Sequence, residues 1–467
     1  MADQRHDDTD YSVIPKAEMV LDHSPSGLLL PGIDATTRRE ATRLCARDYL
    51  EHHVFFNDRG YHNHLVHHLL AVFTMGAPSE SLQTIFDQSK PTLRSRDAYN
   101  DSVDITADNF KEHLGQERCY ASYIHFFRGE FDAAGDDWKA RALDYFFDPQ
   151  VFRLGMDGLF HPFIQVGYGL EFDSKALTAM ALAQSCVHRK FYQTLLDEST
   201  VADICSGTPI NDGPGLSLMQ ILRAAREDPL AAATVFSEQP FLRTGADHVE
   251  KLSAKYANAW DVPATKDAIA AKHAELLSTL ALLYGSLTRP GYAPLLHFIV
   301  MHSLTSAYFL PIFFDHLSLE RQAALLKVHW ALDLSVFLLL GAPALHVPPE
   351  LVSTDTHGVK TGAWASDTNG WLEVFKKAID SQDSHIPKVI RSLWRGSLLG
   401  SFGSQAGSDD GYELPPAINW LYLARRTIDV VTLSSFEEPG PQIEAGRRFW
   451  AFGMVGFDEF WATYPRE

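Results

Sequence analysis

Cysteine is scarce in this chain: Cys45, Cys119, Cys186 and Cys205 are scattered over 467 residues with no C-x-x-C spacing. That argues against a disulfide framework and against a thiolate zinc site. Glycine-rich phosphate cradles are missing too. Neither G-x-G-x-x-G after a strand nor G-x-x-x-x-G-K-[ST] occurs, and the cluster from Gly400 to Gly407 follows a helical stretch with the wrong spacing. A nucleotide or flavin site of the usual fold is therefore disfavoured. The absence of G-x-S-x-G and H-E-x-x-H argues against serine-hydrolase and zincin chemistry. Positive charge is in deficit, 40 basic residues against 59 acidic for a net charge of -19, so phosphate backbones and anionic membranes are poor partners. Arg38-Arg39 and Lys376-Lys377 are ordinary helix-surface pairs. Residues 1 to 10 are acidic and polar, without the basic and apolar regions of a secretory signal, so a cytosolic location is expected. No repeat of fixed period suggests a solenoid.

What is present is hydrophobic and helical in period. A hydrophobic content of 46% supplies a large core. Apolar residues recur every three or four positions in Ala41 to Val54, Ala176 to Leu195 and Ala268 to Tyr284, whereas alternating strand-like runs are few and short. Helix starts are marked at Ser79-Glu80, at Thr265 with Asp267 and at Asp383-Ser384. Breaks are expected at Gly76 to Pro78, Gly207 to Pro214 and Gly341 to Pro349, with a surface loop from Gly403 to Gly411. The expected architecture is all-α, one helical unit over 34–467 behind an irregular arm at 1–33.

Gly291 to Phe314 holds 24 residues without Asp, Glu, Lys or Arg, long enough to span a bilayer. Its His297, His302, Ser303, Thr305 and Ser306 favour a helix buried in protein instead. Histidine is abundant at 21 residues, about twice average usage. The densest cluster runs from Tyr61 to His68, where His64 could share a helix face with His67 or His68. Each histidine alone reads as an ordinary core or cap residue; the set reads equally well as metal ligands. His248-Val249-Glu250 and His273-Ala274-Glu275 fail as facial triads, since positions two apart on a helix point in nearly opposite directions. His161, His302 and His385, with Lys388 one turn after the last, are better placed.

Four ordered segments carry a resemblance: FNDRGYHNHLVHHLLAVFTMGAP (56 to 78), GLFHPFIQVGYGLEF (158 to 172), HFIVMHSLTSAYFLPIF (297 to 313) and WLEVFKKAIDSQDSHIPKVIRSL (371 to 393). In these the chain resembles the questin oxidase-like proteins. The resemblance implies a mainly helical fold and oxidative cleavage of an anthraquinone ring with O2 in the biosynthesis of aromatic polyketides. It implies non-haem Fe(II) held by His64, His161, His302 and His385, with Lys388 carboxylated by carbon dioxide. Lys377 is the competing lysine, although Lys376 beside it favours a solvated face. A carbamate makes electrostatic sense, because four neutral imidazoles leave a divalent charge uncompensated and a buried amine is readily neutral. Phe160, Phe163, Tyr168, Phe298 and Tyr308 could wall a flat ligand, though core packing explains each. An NADPH-dependent Baeyer-Villiger-type monooxygenase, reductase- or flavin-linked, is the alternative enzyme, and a non-catalytic helical scaffold the alternative of another class. The substrate is expected to be a small aromatic molecule, with neither nucleic acid nor membrane as partner.

Overall fold

The computed structural model describes residues 33–188, 201, 215–237, 247–353, 369–399, 414–431 and 450–466. The expected N-terminal arm, apart from its last residue, the break at Gly207 to Pro214 and the loop at Gly403 to Gly411 lie outside the described residues. Among those described, secondary structure is helical, with only isolated β-bridges such as Phe55 to His62. This agrees with the all-α expectation. Two compact units form, one from 1–156 and 161–189, the other from 157–160 and 190–467.

The first unit contains α1 (Ala35–Glu51), α2 (Leu65–Thr74), α3 (Ser79–Ser89), α4 (Tyr120–Ala134), α5 (Trp138–Phe146), α6 (Pro149–Gly155), α7 (His161–Glu171) and α8 (Lys175–Val187). Asp34 caps α1 by accepting from the Thr37 amide at 2.8 Å, and Arg47 pairs with Glu51 one turn along. α8 is the central helix, packing against α4, α5, α6 and α7. Its approach to α7 requires Gly169, where any Cβ would lie 2.3 Å from Thr178 Oγ1 and 2.8 Å from the Thr178 amide. Ser79 is the first residue of α3 and not its cap, because Pro78 occupies that position in extended conformation.

The second unit contains α9 (Leu218–Glu227), α10 (Asp247–Ala257), α11 (Lys266–Gly285), α12 (Phe298–Ala307), α13 (Leu310–Phe314), α14 (Leu319–Leu339), α15 (Gly370–Ile379), α16 (His385–Leu398), α17 (Trp420–Val431) and α18 (Asp458–Thr463). Thr265 caps α11 as expected. The uncharged stretch from Gly291 to Phe314 is buried over most of its length but is not one helix. His297 caps α12 at its start, and the chain breaks at Tyr308 and Phe309 before Pro311 opens α13. Among the described residues α14 alone is long and apolar enough to cross a membrane, and 89% of its apolar window is buried within the protein. It packs against α10, α11, α12 and α13, which explains an apolar composition on all sides.

Three buried histidines stabilise this framework in one protonation state. His53 Nε2 lies 3.0 Å from the Glu117 carbonyl, His273 Nε2 3.1 Å from that of Ala307, and His297 Nε2 2.9 Å from that of Gly453. A carbonyl only accepts, so Nε2 carries the proton in each. In His53 and His297 the other nitrogen, Nδ1, accepts from the backbone amides of Phe55 and Ile299. Burial holds all three well below the ordinary imidazole range, to about 4. Their contribution is fully present above pH 6.5 and is lost as pH falls from there through about 4, because the unfolded chain binds the extra protons first. Each should cost about 2 kcal/mol by pH 5. Thermal melts from pH 7 to pH 5 should show a steep fall in Tm that becomes shallower in His297→Gln; a flat profile would contradict this assignment.

Candidate metal centre

In the first unit the segment before α2 is held by its own polar side chains. The Asn63 amide donates to Asp48 Oδ1 at 2.8 Å, and its carbonyl oxygen accepts from the Leu65 backbone amide at 2.9 Å. His52 Nδ1 reaches the same Asp48 oxygen at 2.9 Å. Asn63 thus fixes the backbone between His62 and His64. His64 is the cap residue of α2 and His161 the first residue of α7; their Nε2 atoms are 2.7 Å apart. Two imidazole nitrogens approach that closely only with a proton or a cation between them. His64 therefore meets His161, while His67, one of the two neighbours with which it could share a helix face, lies with its ring centroid 6.0 Å away. A second pair lies alongside: His62 and His188 bring their Nε2 atoms to 2.9 Å, and His62 stacks on His161 at 4.0 Å with rings nearly parallel.

In the second unit His302 and His385 are buried, with ring centroids 5.2 Å apart. His302 Nδ1 donates to the Phe298 carbonyl at 2.8 Å, one turn back on α12. His385 Nδ1 donates to Asp383 Oδ1 at 2.8 Å, and the same carboxylate oxygen accepts the His385 backbone amide at 2.9 Å, which starts α16. Both rings therefore present Nε2 as a lone pair, the form in which imidazole binds metal, with an acceptor behind it. Phe298 packs edge-on against both, at 4.4 and 4.8 Å between centroids.

Lys388 follows His385 by one turn and is 4% exposed; among the described residues its Nζ has no hydrogen-bond partner. Desolvation pulls its pKa down to about 7, with the Asp383 charge pulling the other way. Burial, and then the Lys388 charge, lowers His385 to about 4. Burial alone would raise Asp383; the His385 charge and the hydrogen bonds from His385 and Trp450 bring it to about 2. Lys376 is exposed and Lys377 half-buried on α15.

The other histidine pairs have structural duties. His248 meets Thr234 Oγ1 at 2.9 Å, and Glu275 accepts from the Leu218 amide, Trp260 Nε1 and Lys272. Phe160, Phe163, Tyr168 and Tyr308 are core residues. From its sequence context Asp383 is expected only as a helix cap. Its position two residues before His385 is a signal of an imidazole anchor, but Trp450, which donates to its other oxygen at 2.7 Å, is 67 residues away and gives none. Asp383→Asn would set an amide N–H against one of these donors. It should lower unfolding stability by about 2 kcal/mol or more and shift the Trp450 indole proton resonance. A wild-type denaturation midpoint with that resonance unmoved would contradict the assignment.

A family model described as questin oxidase-like matches residues 61–393, a span that includes all five of the histidine and lysine positions above. The chain is 30% identical over 439 residues to the protein named Baeyer-Villiger oxidase mdpL of Emericella nidulans, covering 88% of this chain and 90% of that one. It is 29% identical to Oxidoreductase AflY of Aspergillus parasiticus, covering 84% and 79%. It is 25% identical to Questin oxidase of Aspergillus fumigatus, covering 91% and 93%. With the family model spanning most of its length and relatives matched nearly end to end, the chain belongs to the questin oxidase-like family.

Proposed function

We propose that the chain is an oxygenase that cleaves a carbon-carbon bond in an anthraquinone-type polyketide with O2, using one non-haem Fe(II) bound by His64, His161, His302 and His385. The reading takes these four histidines as one donor group and the span from residue 34 onward as one catalytic domain. The observation that carries it is the fixed tautomer of His302 and His385, each anchored through Nδ1 so that Nε2 is the donor. The close Nε2 pair of His64 and His161 suits a shared cation equally well. The names of the relatives, Baeyer-Villiger oxidase and Questin oxidase, support an oxidoreductase.

Lys388 fits the missing anionic donor. A buried amine without a hydrogen-bond partner is costly. Its lone pair would add to the carbon of carbon dioxide, and one N–H proton would leave to bulk water, producing a carbamate that coordinates like a carboxylate. Bound iron would supply redox chemistry with O2 and positive charge toward oxyanions developing on the substrate. The protein's part is to hold the imidazole tautomers through Asp383 and the Phe298 carbonyl, and to exclude water with Phe298.

The relatives' Baeyer-Villiger names favour a second reading, insertion of a single oxygen atom with electrons from NADPH. The test is metal content by mass spectrometry on chelator-free wild type and His302→Ala, alongside oxygen uptake with questin. About one iron per chain, lost together with turnover in the variant, is expected; turnover in metal-free protein would defeat the proposal. NADPH consumed in step with O2 would select the second reading. For Lys388, a carbamate resonance in protein equilibrated with 13C-bicarbonate, absent from Lys388→Met, is expected.

A further inference from the structure

We infer that Ser303, Ser306, His329 and Asp333, together with one buried water, form a positioning framework for the segments that carry His302 and His161. The inference rests on the iron reading above. His329 and Asp333 lie one turn apart on α14, at 0% and 3% exposure in a largely apolar core. Hydrocarbon there would pack at no desolvation cost, so a buried polar pair calls for a reason. His329 Nδ1 donates to Asp333 Oδ2 at 2.7 Å, and its Nε2 lies 2.8 Å from Ser306 Oγ. Ser306 Oγ also contacts the Ser303 carbonyl at 3.0 Å.

The chain of Ser, His and Asp looks like a nucleophilic triad, but its setting does not suit one. Ser306 is fully buried, and the cavity reaching this cluster holds only about 10 Å³, too small for any substrate. That volume does suit one water. Asp333 Oδ1 and Ser303 Oγ, both buried and without hydrogen-bond partners among the described residues, belong to residues lining this cavity; the other walls, including Leu280, Val300 and Phe337, are apolar. A water bonded to both would complete a closed loop from α14 to the residues one and four positions after His302.

The other face of His329 grips a strained turn. Gly158, Leu159 and Phe160 have φ of 58°, 59° and 61°, three consecutive left-handed residues of which only the first is glycine. In the other two this conformation crowds Cβ against the following carbonyl oxygen, a strain that persists only where surroundings enforce it. Phe160 is held by stacking on His329 at 4.8 Å with an interplanar angle of 11°. The next residue is His161. One imidazole thus steadies both the turn that delivers His161 and the helix turn that bears His302.

Cobalt(II) titration tests this, because its visible bands report ligand geometry independently of turnover. The proteins are wild type, His302→Ala, His329→Phe, which keeps a ring for Phe160, and Asp333→Asn as a milder second variant. Wild type should bind one Co(II), and His302→Ala should lose it. His329→Phe and Asp333→Asn should bind at least about tenfold more weakly, with altered bands and unchanged helical circular dichroism. Wild-type affinity and bands in both variants, even with lowered Tm, would overturn the framework and leave the iron reading standing. Failure of wild type to bind would overturn both. A crystal structure should show the water bonded to Asp333 and Ser303; a dry cavity there would overturn that part.

Discussion

A neutral imidazole has one N–H and one lone pair, and the group that takes the N–H decides what the lone pair can do. The buried histidines of this chain divide on that rule. His53, His273 and His297 spend Nε2–H on backbone carbonyls, and in His53 and His297 Nδ1 is occupied by a backbone amide as well. Those two rings have both nitrogens occupied and serve as structural bridges. His302 and His385 are turned the other way, with Nδ1 anchored on a carbonyl or carboxylate and Nε2 presented. An Nδ1 anchor alone is not the mark of a ligand, since His329 has one and still directs Nε2 at a serine. What separates the candidates is the anchor together with a second imidazole and an unpartnered lysine amine nearby.

The same rule explains where the polar residues of the apolar helices belong. Most side chains able to hydrogen-bond in such a core have their bonds made. α12 carries His302, Ser303, Thr305 and Ser306 in ten residues; His302 Nδ1 and Thr305 Oγ1 donate to carbonyls of the preceding turn. α14 answers with His329 and Asp333 on the side facing Ser306. Polar groups that would break a membrane helix are here the bonds between two buried helices.

Much of this was legible in sequence. Three- and four-residue periodicity gave the helices, because amphipathic burial is a local pattern with a fixed period. The burial of His302 followed from its uncharged surroundings, and the turn between His385 and Lys388 from spacing alone. The four segments that carry the family resemblance all lie in or against the span matched by the family model. Less visible were features set by groups far apart in sequence. Trp450 completes the shell of Asp383 across 67 residues, and no local spacing encodes that. Spacing alone would let His64 share a helix face with His67 or His68; it ends the loop before α2 instead and meets His161, 97 residues on, a pairing that only the family resemblance suggests.

Strain is the remaining class of feature that composition conceals. Leu159 and Phe160 have no unusual propensity for left-handed backbone, and only Gly158 hints at a turn. The conformation must be imposed from outside, by groups that gain more from the arrangement than the backbone loses. Phe160 on His329 is such a gain, and His329 is in turn immobilised through both ring nitrogens. An aromatic ring fixed at both nitrogens is a rigid surface, so the stack constrains direction as well as contact. The next residue in the chain is His161, the first of α7.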